Sequence, residues 1–441
     1  MNERIVYQIF TGSFNESLKG ITQKLDYIKD LGAGEIWLTP IFSSPSYHGY
    51  DITDYYSINP KLGTMEDFEE LVSEAHKRDI KIMLDMVFNH TSDQHPWFIK
   101  SREGDEQYRD YYIWSNHNPH TNQTPMNGNP WAYSVESRPS AYYYNSFCDS
   151  MPNLNHNNWK VKEEIMNICR FWINKGVDDF RLDAVRWTYF NHEEGVEFWR
   201  WFAEEVRKMK PDIYLVGECW SSDNVSKKYQ DALGSCFEFE LANHIIDKLN
   251  WGCLKYIGIY CDGNHNINNS LFLSNHDLNR ILTDLFNSKS KMKIASALLF
   301  SLPGTPYIYY SEELGMLGTK EFGDEGVRKP MPWEEVEAQK QTPSSLYRHY
   351  KNLIRIRNNE VALRKGTFEN ITTNNDHALI FKRRYKNEEI TVCMNQVKDA
   401  KEYIPAGLYK VVYSNKGYIG YLSTTGDIEL EADEILFLKR L

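Results

Sequence analysis

The sequence predicts an α/β fold: a (β/α)8 TIM barrel with a small lobe inserted after its third strand and a C-terminal antiparallel β-sandwich. Three observations carry this. Short apolar runs alternate with longer amphipathic stretches up to about residue 355, a long polar segment at 91–150 interrupts the alternation, and from about residue 362 the pattern becomes short strands separated by turn signals.

Taken in order, the apolar runs are IVYQIF (5–10), EIWL (35–38), IKIMLDM (80–86), VDDFRL (177–182), IYLVG (213–217), SCFEFE (235–240), NSLFLS (269–274) and TPYIYY (305–310). They are nearly continuous in apolar residues, as strands covered on both faces are. Between them lie stretches of helical periodicity such as ITQKLDYIKDLG and MEDFEELVSEAHKRD, the first closed by Gly32, a residue suited to the left-handed turn that stops a helix. Eight such βα units close into a barrel whose functional groups follow the strand C-termini. A doubly wound open sheet is the alternative that strand counting leaves standing. Residues 91–150, rich in Asn, Pro, Ser and Tyr, are too long and too polar for an ordinary βα connection, and predict a lobe over the barrel mouth. After the helix-like SLYRHYKNLIRIRNN come HALIFKRRY, EITVCMN, GLYKVVYS and EILFLKRL, with turns at Asn415-Lys416-Gly417 and Thr425-Gly426-Asp427. The expected division is therefore 1–90 with 151–361 for the barrel, 91–150 for the lobe and 362–441 for the sandwich.

The 441 residues include 61 acidic and 50 basic side chains, a formal net charge of −11, and no long basic run. Nucleic acid and membrane surfaces are therefore not expected as partners. Aromatic residues make up 14% of the chain, several of them beside polar residues as in HGYDITDYY and RDYYIWSN. Such platforms suit the flat C–H faces and hydroxyl rims of sugars, and equally an aromatic-rich core. Seven cysteines, odd in number and without CxxC spacing, predict neither structural zinc nor a complete disulfide framework. The start, MNERIVYQIF, has no apolar signal-peptide core, and no run of eighteen apolar residues follows, so a cytoplasmic location is expected.

Charged groups collect at the predicted strand ends. In FRLDA the two-residue period puts Arg181 and Asp183 on one face, where a guanidinium would keep the acid ionised and aim its oxygens. IMLDMVFNH adds Asp85, Asn89 and His90; YLVGECW adds Glu218; FLSNHDLNR adds His276, Asp277 and Arg280. Singly, each has a bland reading: a structural ion pair, a core histidine, a solvated helix-start acid, a helix cap. Together they place carboxylates and imidazoles at one end of one barrel, and unpaired buried acids are costly unless chemistry needs them. Two carboxylates with opposite roles, one ionised and one protonated, define glycoside hydrolysis. Asp183 with its arginine has the setting of the first. Glu218, after an apolar run and beside Cys219 and Trp220, has the desolvated setting of the second.

At these residues the chain resembles glycoside hydrolase family 13, the α-amylase family, over nearly its whole length. DMVFNH, FRLDAVRW, GECW and FLSNHD match the four short regions of that family in order, and HGYDITDY (48–55), MPNLN (151–155), GTPYIYYSEELGM (304–316) and DEGVRKPMPW (324–333) extend the match. The resemblance implies Asp183 as nucleophile, Glu218 as general acid/base and Asp277 as the group that binds sugar hydroxyls and stabilises the oxocarbenium-like transition state. It implies that His90 and His276 hydrogen-bond the sugar at the cleavage point, that Tyr50 stacks beneath it, and that Asp51 and Arg328 reach toward the non-reducing side. Retention would bring the two catalytic carboxylates to about 5 to 5.5 Å.

MPNLN matches neither the QPDLN of many α-1,6-glucosidases nor the LPDLD of many secreted amylases, and Ala184 stands where α-1,6-acting relatives often carry Val. The implied activity is hydrolysis of α-1,4 bonds in α-glucans and maltooligosaccharides. The alternatives are a 4-α-glucanotransferase, an α-glucosidase or oligo-1,6-glucosidase, or an inactive binding subunit. Arg186 and Trp187 replace a common Lys-His pair, and Trp187 is expected on the acceptor side, stacking on a sugar or packing beneath the lobe. Relatives with a calcium ion between barrel and lobe tend to have Asp at the position of Asn153 and His at that of Trp187, and the Asp-rich N-terminal loop of some relatives is absent. With those oxygens missing, no cofactor is expected to be required and no side-chain metal-ligand set is expected; calcium held by backbone carbonyls is the alternative.

Overall fold

The computed structural model describes residues 3–119, 129–137, 141–262, 269–371 and 373–441. The chain falls into two compact units. Phe14–Leu25 and Ile36–Phe237 form one, called the central unit; Met1–Ser13, Asp26–Glu35 and Glu238–Leu441 form the other, called the terminal unit.

In the central unit the strands Lys81–Met86, Asp179–Leu182 and Leu215–Gly217 run parallel, with Asp179–Leu182 in the middle. Met86 and Gly217 both stand level with Leu182, so the chain leaves all three strands at one height. All four residues of Asp179–Leu182 are buried, so its two charged side chains need partners inside the protein. Asp179 has them in the Tyr214 amide, 2.6 Å away, and Lys81. The helix Met65–Lys77 starts at a capping box in which Thr64 and Asp67 each accept from the other's backbone N–H. It buries Phe68, Leu71, Val72 and Ala75, the i, i+3, i+4, i+7 stripe that a helix lays against a sheet.

The polar segment predicted as a lobe carries the helix Pro96–Glu103 and a three-stranded antiparallel sheet of Trp114–Ser115, Ala141–Tyr144 and Trp131–Ser134. Residues 120–128 and 138–140 of the segment lie outside the described residues. Aromatic packing builds its core: Phe98 stacks on Trp114 and meets Tyr112 and Tyr143 edge-on, and the Arg109 guanidinium lies 3.9 Å from the Trp114 ring. MPNLN is pinned on both sides, Asn153 bridging to His90, Leu154 to Tyr112 and Pro152 to Asn145.

In the terminal unit, Thr305–Tyr309 pairs in parallel with Val6–Ile9 on one side and Ser270–Leu271 on the other. The parallel strands are those of a (β/α)8 barrel. The predicted strand at 235–240 is corrected. Extended pairing is confined to Cys236 and Phe237: Cys236 bridges to Gly217, through the pairs Gly217 N–H to Ser235 O and Phe237 N–H to Gly217 O, and Glu238 N–H then donates to Ser270 O. Beyond that the chain is the helix Phe239–Trp251, because Phe239, Leu241, Ala242, Ile245 and Leu249 form a buried helical stripe. After helix Val361–Lys365, the chain becomes antiparallel: six strands from Thr367–Ile371 to Glu434–Arg440 in one sheet, and Ala400–Tyr403 with Asp427–Leu430 in a second. Ile380, Cys393, Ile404, Tyr409, Ile428, Leu430, Leu436 and Leu438 fill the core of this β-sandwich. No helix among the described residues is long and apolar enough to cross a membrane.

Candidate active site

Arg181 organises the central unit's site. Its side chain, 1% exposed, donates from Nη1 to Asp85 Oδ1 at 2.5 Å and to Asp183 Oδ1 at 2.6 Å, and its Nη2 lies 3.0 Å from Glu218 Oε2. The guanidinium also lies over Trp37 and Tyr50, at 5.2 and 5.8 Å from their ring centres. One buried cation thus meets three carboxylates, an arrangement in which each anion has a charge-assisted hydrogen bond to offset its desolvation.

Local backbone geometry supplies the anions. Asp183 leaves the strand with its N–H bonded to Met86 O, and Ala184 turns sharply in the left-handed region, at φ 48. A residue with a Cβ adopts that conformation at a cost of about 1 kcal/mol. The turn points the Ala184 N–H at Glu218 Oε2, 3.1 Å away, while the Glu218 N–H bonds to Leu182 O. The sequence shows Glu218 only after an apolar run; the structure adds a guanidinium and a backbone N–H to its surroundings.

Asp85 is the member that sequence reasoning left without a role. It is buried, and its Oδ2 accepts from Tyr50 Oη at 2.9 Å and Trp37 Nε1 at 3.1 Å. Burial pushes its carboxyl up to about 6, with the Arg181 guanidinium acting in the opposite direction. A carboxylate inside the apolar strand IKIMLDM was the available signal.

His90 is buried, and its Nε2 lies 3.1 Å from Tyr50 O. A carbonyl accepts only, so the ring proton is on Nε2. Burial pushes this imidazole down to about 4. Asp51 is turned toward its own loop, with Oδ1 accepting from Ser44 at 2.5 Å and from Ser46. The Arg186 guanidinium lies 4.6 Å from the Trp187 ring centre. Trp187 is half-buried and, with Tyr112, Trp114, Tyr144 and Phe190, lines a cavity of about 300 Å³.

The terminal unit holds a second cluster. His276 is fully buried between Gln8, whose Nε2 is 2.7 Å from Nδ1, and Asp277, whose Oδ2 is 3.1 Å from Nε2. An amide nitrogen donates only, so Nδ1 accepts and Nε2 carries the proton toward Asp277. Arg328 donates from Nε to His276 O and from Nη2 to Asp277 Oδ1 and Asp324 Oδ2, at 2.8 and 2.9 Å. Arg280 is also buried; it donates to Val327 O at 2.9 Å and to Tyr310 O, and lies 3.8 Å from the Tyr309 ring centre, which fixes the backbone next to Arg328. Gln8 was missed in the sequence, although a glutamine within IVYQIF is a polar residue in an apolar strand.

Among the described residues no group of three or more His, Cys, Asp or Glu is arranged to hold a metal ion. The central unit's cluster offers paired carboxylates beside aromatic faces, the equipment for acid–base and nucleophilic work on a hydroxyl-rich ligand.

The model of the alpha amylase catalytic domain matches residues 8–366. The chain is 39% identical over 430 residues to Alpha-amylase 3 of Dictyoglomus thermophilum, covering 89% of this chain and 84% of that one. It is 30% identical over 510 residues to an oligo-1,6-glucosidase of Parageobacillus thermoglucosidasius, covering 89% and 90%. The crystal structure of an alpha-amylase from H.orenii superposes with a TM-score of 0.89 at 34% identity, each chain fully covered. The strand-end carboxylates, the fold that carries them and these likenesses agree: the chain belongs to the alpha-amylase family, glycoside hydrolase family 13.

Proposed function

We propose that the protein is a retaining glycoside hydrolase that cleaves α-1,4-glucosidic bonds in starch-derived maltodextrins. The observation that carries this is the single guanidinium of Arg181 between Asp183 and Glu218, at 2.6 and 3.0 Å. Asp183 and Glu218 on the two ends of one guanidinium are neighbours, which favours the spacing of about 5 to 5.5 Å of a retaining pair over the about 6.5 to 9.5 Å of an inverting one.

In the first step a carboxylate oxygen of Asp183 attacks the anomeric carbon while Glu218 gives its proton to the departing glycosidic oxygen. The C–O bond breaks, and a glycosyl ester of Asp183 and a free sugar hydroxyl result. In the second, Glu218 takes a proton from water, whose oxygen displaces Asp183. Asp277 holds sugar hydroxyls and stabilises the positive charge of the transition state, and His90 and His276 line the sugar at the cleavage point. Tyr50 supplies the apolar platform beneath the ring, and Asp51, Arg186 and Trp187 extend the binding surface.

Product analysis on maltotriose and maltoheptaose tests the reading. Shorter oligomers only are expected, with activity falling at least about 1,000-fold in Asp183→Asn. Products longer than the input would establish a 4-α-glucanotransferase instead, and undiminished activity in Asp183→Asn would remove the nucleophile assignment.

A further inference from the structure

Asn153 lies in MPNLN and is 1% exposed. Its Oδ1 accepts from the Ser146 backbone N–H at 2.6 Å. A backbone N–H donates only, so this contact settles which end of the amide is oxygen. Nδ2 therefore faces three oxygens: Ser146 Oγ at 2.9 Å, and Asn89 Oδ1 and Trp187 O at 3.4 Å each. Two N–H bonds are spread over three acceptors. A hard cation needs such oxygens turned toward it, and here an amide nitrogen already occupies their common focus.

The same contacts set a direction further along the chain of groups. His90 Nε2–H points at Tyr50 O, so its Nδ1 accepts from Asn89 Nδ2, 3.4 Å away. With its nitrogen so placed, Asn89 turns Oδ1 to Asn153, whose Nδ2–H completes the series. Donors run one way from the Ser146 N–H to the Tyr50 carbonyl, fixed at both ends by backbone groups that cannot reverse.

We infer that the Asn153 amide does within the chain what a bound hard cation would do at this focus: it gathers Asn89, Ser146 and the Trp187 carbonyl, and through Asn89 it holds His90 with its proton on Nε2. Asn153 is a positioning residue for His90. An Asp at 153 would have no donor for Asn89 Oδ1 or Trp187 O, and a cation would then be needed to occupy the same focus.

Thermal unfolding in excess chelator and in millimolar calcium tests this on the parent protein and on Asn153→Asp. The inference needs the family relationship but not the bond specificity, since neither read-out is activity. The parent is expected to unfold at the same temperature in both solutions, within about 1 °C, and Asn153→Asp about 4 °C lower in chelator with calcium restoring most of the loss. In the parent, ¹⁵N spectra of the His90 ring should show Nε2 protonated and Nδ1 bare. A parent stabilised by calcium overturns the first half, as does an Asn153→Asp protein that equals the parent in chelator. A protonated Nδ1 overturns the second half. If Asn153→Asp does not fold, the parent's response to calcium and its His90 spectrum still decide both.

Discussion

His90 in the central unit and His276 in the terminal unit are both buried imidazoles with the proton on Nε2, yet they are held by different means. His90 gives its proton to a main-chain carbonyl and takes a long amide contact from Asn89; His276 gives its proton to a side-chain carboxylate and takes a short amide contact from Gln8. The cations beside them differ in the same way. Arg181 is sealed from water with Asp85 and Asp183, and with Glu218 at its edge; the carboxylates on Arg328, Asp277 and Asp324, are 31% and 38% exposed. The central unit is thus fixed by burial and backbone, the terminal one by a chain of side chains open to water at its far end.

The largest consequence is in the two arginines. Arg181→Met leaves three carboxylates around an apolar side chain, and removing one partner of a buried ion network costs about 3 to 5 kcal/mol. Arg328→Met strands carboxylates that water still reaches, so about 1 kcal/mol is expected there. Denaturant unfolding of both variants measures the gap. Equal losses would mean that exposure, the basis of the contrast, does not separate the two sites.

A smaller effect separates the amides. Gln8→Leu removes the donor that fixes His276, whose other partner is itself a side chain, and about a tenfold fall in kcat/KM is expected. Asn89→Leu removes the longer contact from His90, which keeps its backbone carbonyl, and about a threefold fall is expected. Steady-state kinetics of the two variants checks the order. A larger effect in Asn89→Leu would place the more sensitive imidazole in the central unit.

Much of this was legible in the sequence because strand-end chemistry is local. Arg181 and Asp183 are two residues apart, and MVFNH, GECW and SNHD each bring their side chains to the end of one strand. What was hidden depends on neighbours distant in the chain. Gln8 meets His276 across 268 residues and Asn153 meets Asn89 across 64, and no spacing rule reports such pairs. Asp85 was visible as a polar break in an apolar strand, but its claim on Arg181 needed the register that sets it opposite. SCFEFE failed for another reason: a short apolar run fits a strand and the first turn of a buried helix equally well, and the stripe continuing to Leu249 decided for the helix.

A further expected effect is in pH, where members of the central unit act with opposite sign. Burial pushes His90 down to about 4, and His95 and His156 with it, while it pushes Asp85 up to about 6. A histidine whose folded value lies below its ordinary range of about 6.5 binds its proton more readily unfolded, so stability is lost as pH falls from about 6.5 toward 4. Asp85 binds its proton more readily folded, so it adds stability as pH falls from about 6 toward 4 and offsets one histidine over that window. His90→Gln removes one of the opposing histidines. Between about pH 6.5 and 5.5 the parent should lose about 1 kcal/mol more than the variant in denaturant unfolding. Asp85→Asn removes the offset and should steepen the parent's acid loss by a comparable amount at slightly lower pH. If the parent and His90→Gln lose stability in parallel, the His90 ring is not held neutral by burial, and its likeness to His276 would extend to how both are kept in place.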